Sequence, residues 1–138
     1  MGMAMSVRVE GDPELPIAVR GDEKLLMDVI EWAGVPECVQ ALQLSPSTVT
    51  ALLRVDSSAY GSEEEPVDAW QNPTILAGAL NEVRTAVKNA SKAGPLARQR
   101  FTFIRRDSYE WYDQHLEDAV RICDWAHAHD KRVALTAW

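Results

Sequence analysis

The chain has 138 residues, 46% of them hydrophobic and 25% charged, with a formal net charge of −7. That balance predicts a folded domain spanning residues 1–138 rather than a disordered chain, and no apolar run approaches the roughly 20 residues that a membrane span needs. The first residues lack the charged and apolar regions of a secretory leader, and Cys38 and Cys123 stand alone outside any CxxC pair, so the expected setting is a reducing cytoplasm without disulfides.

In chain order, residues 6–9 and 17–20 read as strands, with Gly11, Asp12 and Pro13 between them as a hairpin turn. Asp22 caps a helix near 22–33 that buries Leu26, Val29, Ile30 and Ala33 before Gly34 and Pro36 stop it. Residues 48–55 leave two readings open. Val49, Ala51, Leu53 and Val55 alternate as in a strand, whereas Ser45 and Pro46 can start a helix that buries Val49, Leu52 and Leu53. The stretch 56–71, with Gly61 and the run Glu63, Glu64 and Glu65, reads as an acidic surface loop.

Asn72 and Pro73 then begin a helix near 72–93 whose buried stripe is Leu76, Ala79, Leu80, Val83, Val87 and Ala90, closed by Gly94 and Pro95. Residues 100–105 alternate and are rich in aromatic and β-branched types, a strand signal. A helix near 108–129 follows, opened by the Asp107/Glu110 capping box and striped by Tyr112, Leu116, Ala119, Val120, Cys123 and Ala126. Residues 131–138 have the composition of a buried last strand. The expected fold class is therefore α/β: a small mixed sheet of about four strands, packed by three main helices and ending in a β-α-β unit.

Residues 36–54 resemble a helix-turn-helix, and Leu44 to Thr50 in particular resembles the recognition helices of bacterial repressors. The resemblance implies that Val39 packs inside the first helix, that Leu44 and Ser45 form the turn with Gln43 where a glycine is usual, and that Ser47, Thr48 and Thr50 line the reading helix.

Charge is sorted along the chain. Residues 1–82 hold fourteen acids against four bases, residues 83–106 hold seven bases and no acid, and residues 107–138 hold seven acids against three bases. Such sorting speaks about partners rather than fold. An acidic exterior suits a positively charged protein partner, as in small immunity- or antitoxin-type inhibitors. The candidate contacts are Trp111, Asp118 and Trp125 on the last helix, with Glu63, Glu64 and Glu65 in the loop. Trp125 lies about 140° from the centre of that helix's apolar stripe, the placement of an interface anchor. Nucleic acid is the less favoured alternative, held through residues 36–54 or through phosphate contacts by Arg84, Lys88, Lys92, Arg105 and Arg106. A third reading is a small Cys/His enzyme built on Cys123 and His127. Against catalysis, the chain has no GxGxxG, P-loop, HExxH or Gly-x-Ser-x-Gly, and no spacing assembles a cofactor or metal site. The expectation is non-catalytic recognition with no cofactor and no membrane partner.

Overall fold

The computed structural model describes residues 5–20, 27–56, 69–92 and 109–137. In chain order these form β1 (Met5–Val9), α1 (Ile17–Arg20), α2 (Met27–Gly34), α3 (Pro36–Leu42), α4 (Pro46–Leu53), β2 (Val55–Asp56), α5 (Pro73–Lys92), α6 (Tyr109–Ala128) and β3 (Val133–Ala137). About two thirds of the described residues are helical. No helix among them is long and apolar enough to cross a membrane.

The expected sheet of about four strands packed by three helices is not what forms. Two five-residue strands, β1 and β3, pair antiparallel from Met5↔Ala137 to Val9↔Val133, and the two-residue β2 joins the other edge of β3 in parallel. Gln71 continues that edge with an antiparallel bridge to Val133, and its buried side-chain amide donates to the Ala51 carbonyl at 3.2 Å. Residues 17–20, read as a strand, are instead helical. No hairpin forms from β1, because the chain runs through the left-handed Gly11 (φ 85°) and Asp12 (φ 46°) into the helical Ile17–Arg20, and β1 pairs with the distant β3. The strand expected over 100–105 lies outside the described residues, so of the terminal β-α-β unit only the helix and last strand are seen.

The helices near 72–93 and 108–129 fall where their stripes place them. α5 buries Leu76, Leu80, Val83 and Val87 against Tyr112, Leu116, Ala119, Cys123 and Ala126 of α6. The two run antiparallel, since Thr74 meets His127 at one end and Arg84 meets Asp113 towards the other. Trp32 of α2 packs under this pair, its ring 5.2 Å from Tyr112, and β3 contributes Val133 and Leu135 to the same core.

Between α2 and α5 the helical reading of 46–53 holds. Val35 is extended (φ −104°, ψ 116°), the conformation favoured before a proline, and Pro36 opens α3. Gln43 closes α3 in left-handed backbone (φ 54°, ψ 43°), filling without a glycine the position where the helix-turn-helix resemblance expects one. Ser45 caps α4 by accepting from the Thr48 N–H at 3.3 Å, and Pro46 sits at the first helical position. The chain enters the sheet at Val55, after Arg54.

Glu82 of α5 locks this cap. One carboxylate oxygen accepts from the Ser45 N–H at 3.0 Å and lies 3.1 Å from the Ser45 hydroxyl. Burial pulls the Glu82 carboxyl up, but the hydrogen bonds from Thr48 and Ser45 outweigh it and hold it below its ordinary value of 4.5. Because the folded value lies below the unfolded one, the stabilisation is present above pH 4.5 and is lost as pH falls through the folded value. Glu82→Gln is therefore expected to lower stability at neutral pH and to leave it nearly unchanged in strong acid, read from urea midpoints across that range. A constant difference between the two proteins at every pH would contradict the assignment.

Candidate interaction surface

The arginines of this surface are largely occupied. Arg8 grips Asp12 through two bonds of 2.8 and 2.7 Å, and Arg132 grips Glu10 at 3.0 and 2.6 Å. Those contacts, more than the opposing desolvation, hold the Glu10 and Asp12 carboxyls below their usual range. Between these pairs, Trp70 has the Arg8 and Arg132 guanidinium groups 5.8 and 6.0 Å from its ring centroid. Arg84 reaches across from α5 to Asp113 of α6 at 2.8 Å, and Arg121 holds Asp118 at 3.1 Å and Glu117 at 3.6 Å.

Carboxylates remain over. Glu14, Glu37, Glu110, Asp124 and Asp130 are exposed and make no ion pair among the described residues. The described part of the surface therefore keeps five open carboxylates after Arg8, Arg84, Arg121 and Arg132 are paired.

The residues proposed from sequence meet different fates. Asp118 is only 2% exposed, so it is not an open contact. It is covered on the polar side of its helix, where Gln114 donates to it at 3.3 Å and Arg121 neutralises it, an arrangement that helical periodicity alone did not show. Trp111 is half-buried, edge-on to Tyr112 (5.1 Å, 80°) and to His115 (5.0 Å, 67°). Trp125 is half-buried with one flank on the core, and it stacks on His129 at 4.0 Å and 19°. The His129 Nδ1–H donates to the Trp125 carbonyl at 2.8 Å, which fixes the ring pair at the outer end of α6 between Asp124 and Asp130. Glu63, Glu64 and Glu65 lie outside the described residues.

Among the alternative phosphate contacts, Arg84 is committed to Asp113 and Lys88 is exposed on α5. Arg105, Arg106 and the side chain of Lys92 lie outside the described residues. On the helix-turn-helix-like segment, Ser47, Thr50 and Arg54 face outwards, but Thr48 is buried against Ser45 and cannot line a reading surface. Val39 packs partly against the core.

Cys123 and His127 sit in different surroundings. Cys123 is fully buried, and desolvation, helped by the nearby Asp124 charge, pushes its thiol up to about 12. His127 is exposed with Nδ1 3.2 Å from the Thr74 hydroxyl. No group of three or more His, Cys, Asp or Glu able to hold a metal ion occurs among the described residues.

The sequence reading missed the seam where α4 meets α5. Ile75 stands 58% exposed there, while Leu53 of α4, expected to be buried, is 47% exposed on the side towards Gly34 of α2. The signal was present, because Ile75 lies off the buried stripe of α5 by one helical step. Comparison with models of protein families, with curated proteins and with solved structures finds no match for this chain.

Proposed function

We propose that this protein is a non-catalytic recognition module whose acidic exterior binds a positively charged protein, in the manner of small acidic inhibitors, within the cytoplasm. The observation that supports it most is the charge left after internal pairing. Arg8, Arg84, Arg121 and Arg132 each hold a carboxylate, while Glu14, Glu37, Glu110, Asp124 and Asp130 remain open. Exposed ion pairs add little to stability, so neutralising those arginines leaves the surplus negative field as the property that matters. Such a field accelerates encounter with a cationic partner and weakens as salt screens it. The half-covered Trp125–His129 stack between Asp124 and Asp130 offers a cation an aromatic face beside carboxylates.

The test is affinity capture on the immobilised protein at low salt, followed by a salt gradient. The expected result is release of a basic polypeptide early in the gradient. An eluate without any basic protein would overturn the reading.

One observation favours a second reading. A three-residue connection, Gln43 to Ser45 with Gln43 left-handed, joins α3 to α4, which supports the helix-turn-helix resemblance of residues 36–54. A duplex binder must neutralise several phosphates, and Arg54 is the one cation of residues 36–54. A gel-shift on genomic fragments at low salt separates the two: retarded DNA would favour the second reading, and free DNA the first.

A further inference from the structure

We infer that the open edge of β1 is a docking groove for an extended basic segment of the partner, which pairs with β1 as a further strand and sets a cationic side chain against Glu14; this deepens the acidic-recognition reading above and rests on it. The phase of the hydrogen bonds shows what the edge offers. The Glu10 N–H donates to the Arg132 carbonyl at 2.9 Å, so Ser6, Arg8 and Glu10 direct their backbone groups towards β3. Val7 and Val9 direct theirs the other way. The Val9 carbonyl accepts from the Asp12 N–H at 3.0 Å, whereas the Val9 N–H and both backbone groups of Val7 have no partner among the described residues. Val7 is only 8% exposed, and backbone polar groups so nearly covered ordinarily find a partner.

A recess of about 310 Å³ runs beside this edge, lined by β1, by the segment from Asp12 to Leu15 and by Ile122 of α6. A strand laid along it presents its side chains alternately to two faces. On the face of Val7 and Val9 they meet Leu15 and Ile122, which belong to the core. On the other face they meet the Ser6 and Thr136 hydroxyls, 3.2 Å apart.

Charge within the recess selects the occupant. Arg8 is the one cation among the described residues that line it, and it grips Asp12 through bonds of 2.8 and 2.7 Å. Glu14 also lines the recess, exposed and without an ion pair, so the lining keeps one negative charge. That suits a segment alternating apolar and basic residues, held by main-chain hydrogen bonds. It disfavours a second copy of the chain, which would bring another Glu14 to the same edge and itself carries a net charge of −7.

The probes are a synthetic peptide alternating valine and lysine, the same peptide with its backbone nitrogens methylated, and polylysine. Fluorescence anisotropy reads their binding to the intact protein at low salt. The unmethylated peptide is expected to bind at least about tenfold more tightly than its methylated twin, which has the same charge but cannot donate to the edge. Glu14→Lys should weaken the unmethylated peptide about fivefold more than Glu37→Lys, which makes the same change in total charge at an exposed site on α3. Equal binding of the two peptides, no binding of either, or equal losses in the two variants overturns the groove. A dimer of the protein that the peptide dissociates also overturns it, because the edge then belongs to a second copy. Whichever of these occurs, polylysine that binds and is released by salt leaves the acidic-recognition reading standing. Polylysine that fails to bind overturns both.

Discussion

Replacing Trp32 by alanine is expected to cost about 3–5 kcal/mol of folding stability, a large part of what a domain of this size possesses. Trp32 is 1% exposed and is the largest side chain among those fully buried. It joins α2 to the α5–α6 pair through Tyr112, with ring centroids 5.2 Å apart and planes tilted by 55°. Truncation leaves a cavity with no small neighbour able to fill it, and removes an aromatic contact whose geometry adds to simple burial. Urea unfolding measures the loss directly. Trp32→Phe should retain more than half of the stability that alanine forfeits, since it keeps a ring against Tyr112. A loss below about 1 kcal/mol for the alanine variant would mean that α2 is not docked as described.

The second large effect is chemical. Cys123 is expected to be almost inert to iodoacetamide in the folded protein and to react readily once denaturant exposes it. Its thiol is pushed from an ordinary 9.0 up to about 12, first by burial and then by the Asp124 charge. Only the thiolate attacks, so at mildly alkaline pH the shift lowers the reactive fraction about a thousandfold, before restricted access is counted. Mass-spectrometric mapping of the alkylated peptides separates Cys123 from Cys38, whose thiol is also raised by burial and by Glu31 and Glu37. The linkage has a definite sign. The folded value lies above the unfolded one, so this stabilisation is complete below pH 9 and is lost as pH rises towards 12. Rapid alkylation of folded Cys123 would revive the Cys/His enzyme reading, which needs an accessible thiolate beside His127.

The parts of the fold that sequence revealed are those where one physical rule dominates. α5 and α6 are long enough for their apolar stripes to repeat over several turns, and Pro73, with Asn72 before it, marks a start that the Thr74 N–H→Asn72 hydrogen bond of 2.8 Å confirms. β1 and β3 alternate or run apolar as buried strands do. Short segments escaped because two rules compete over few residues. Ile17–Arg20 is as β-branched as a strand, yet the chain turns helical there after Pro16, with the Val19 N–H reaching the Pro16 carbonyl at 2.9 Å. For residues 46–53 the Ser45 cap outweighed the alternation, and Glu82, thirty-seven positions away, completes that cap through a contact that no local pattern contains.

The candidate site shows the same division. That unpaired acids would outnumber cations followed from composition, whereas which acids stay unpaired did not. Asp118 and Asp124 are both acids on the outer half of a helix in projection, but α1 comes close to α6 at Arg121, whose guanidinium lies 3.5 Å from the Ala18 carbonyl, and Asp118 is buried with it while Asp124 stays open. Burial of that kind is set by a neighbouring element rather than by the helix's own periodicity. The exposure of Ile75 could be read from its place off the α5 stripe, but a helix stripe identifies what is buried and says little about what an exposed apolar residue is for.

The most direct test of the surplus negative field is the salt dependence of association with a lysine-rich polypeptide. The comparison is between the unmodified protein and a variant carrying Glu14→Gln, Glu37→Gln, Glu110→Gln, Asp124→Asn and Asp130→Asn together. Stopped-flow rates for the unmodified protein should fall steeply as ionic strength rises, and those for the variant should be slow and nearly flat. Equal slopes for the two proteins would contradict the account, because the five open carboxylates would then not be what the partner feels.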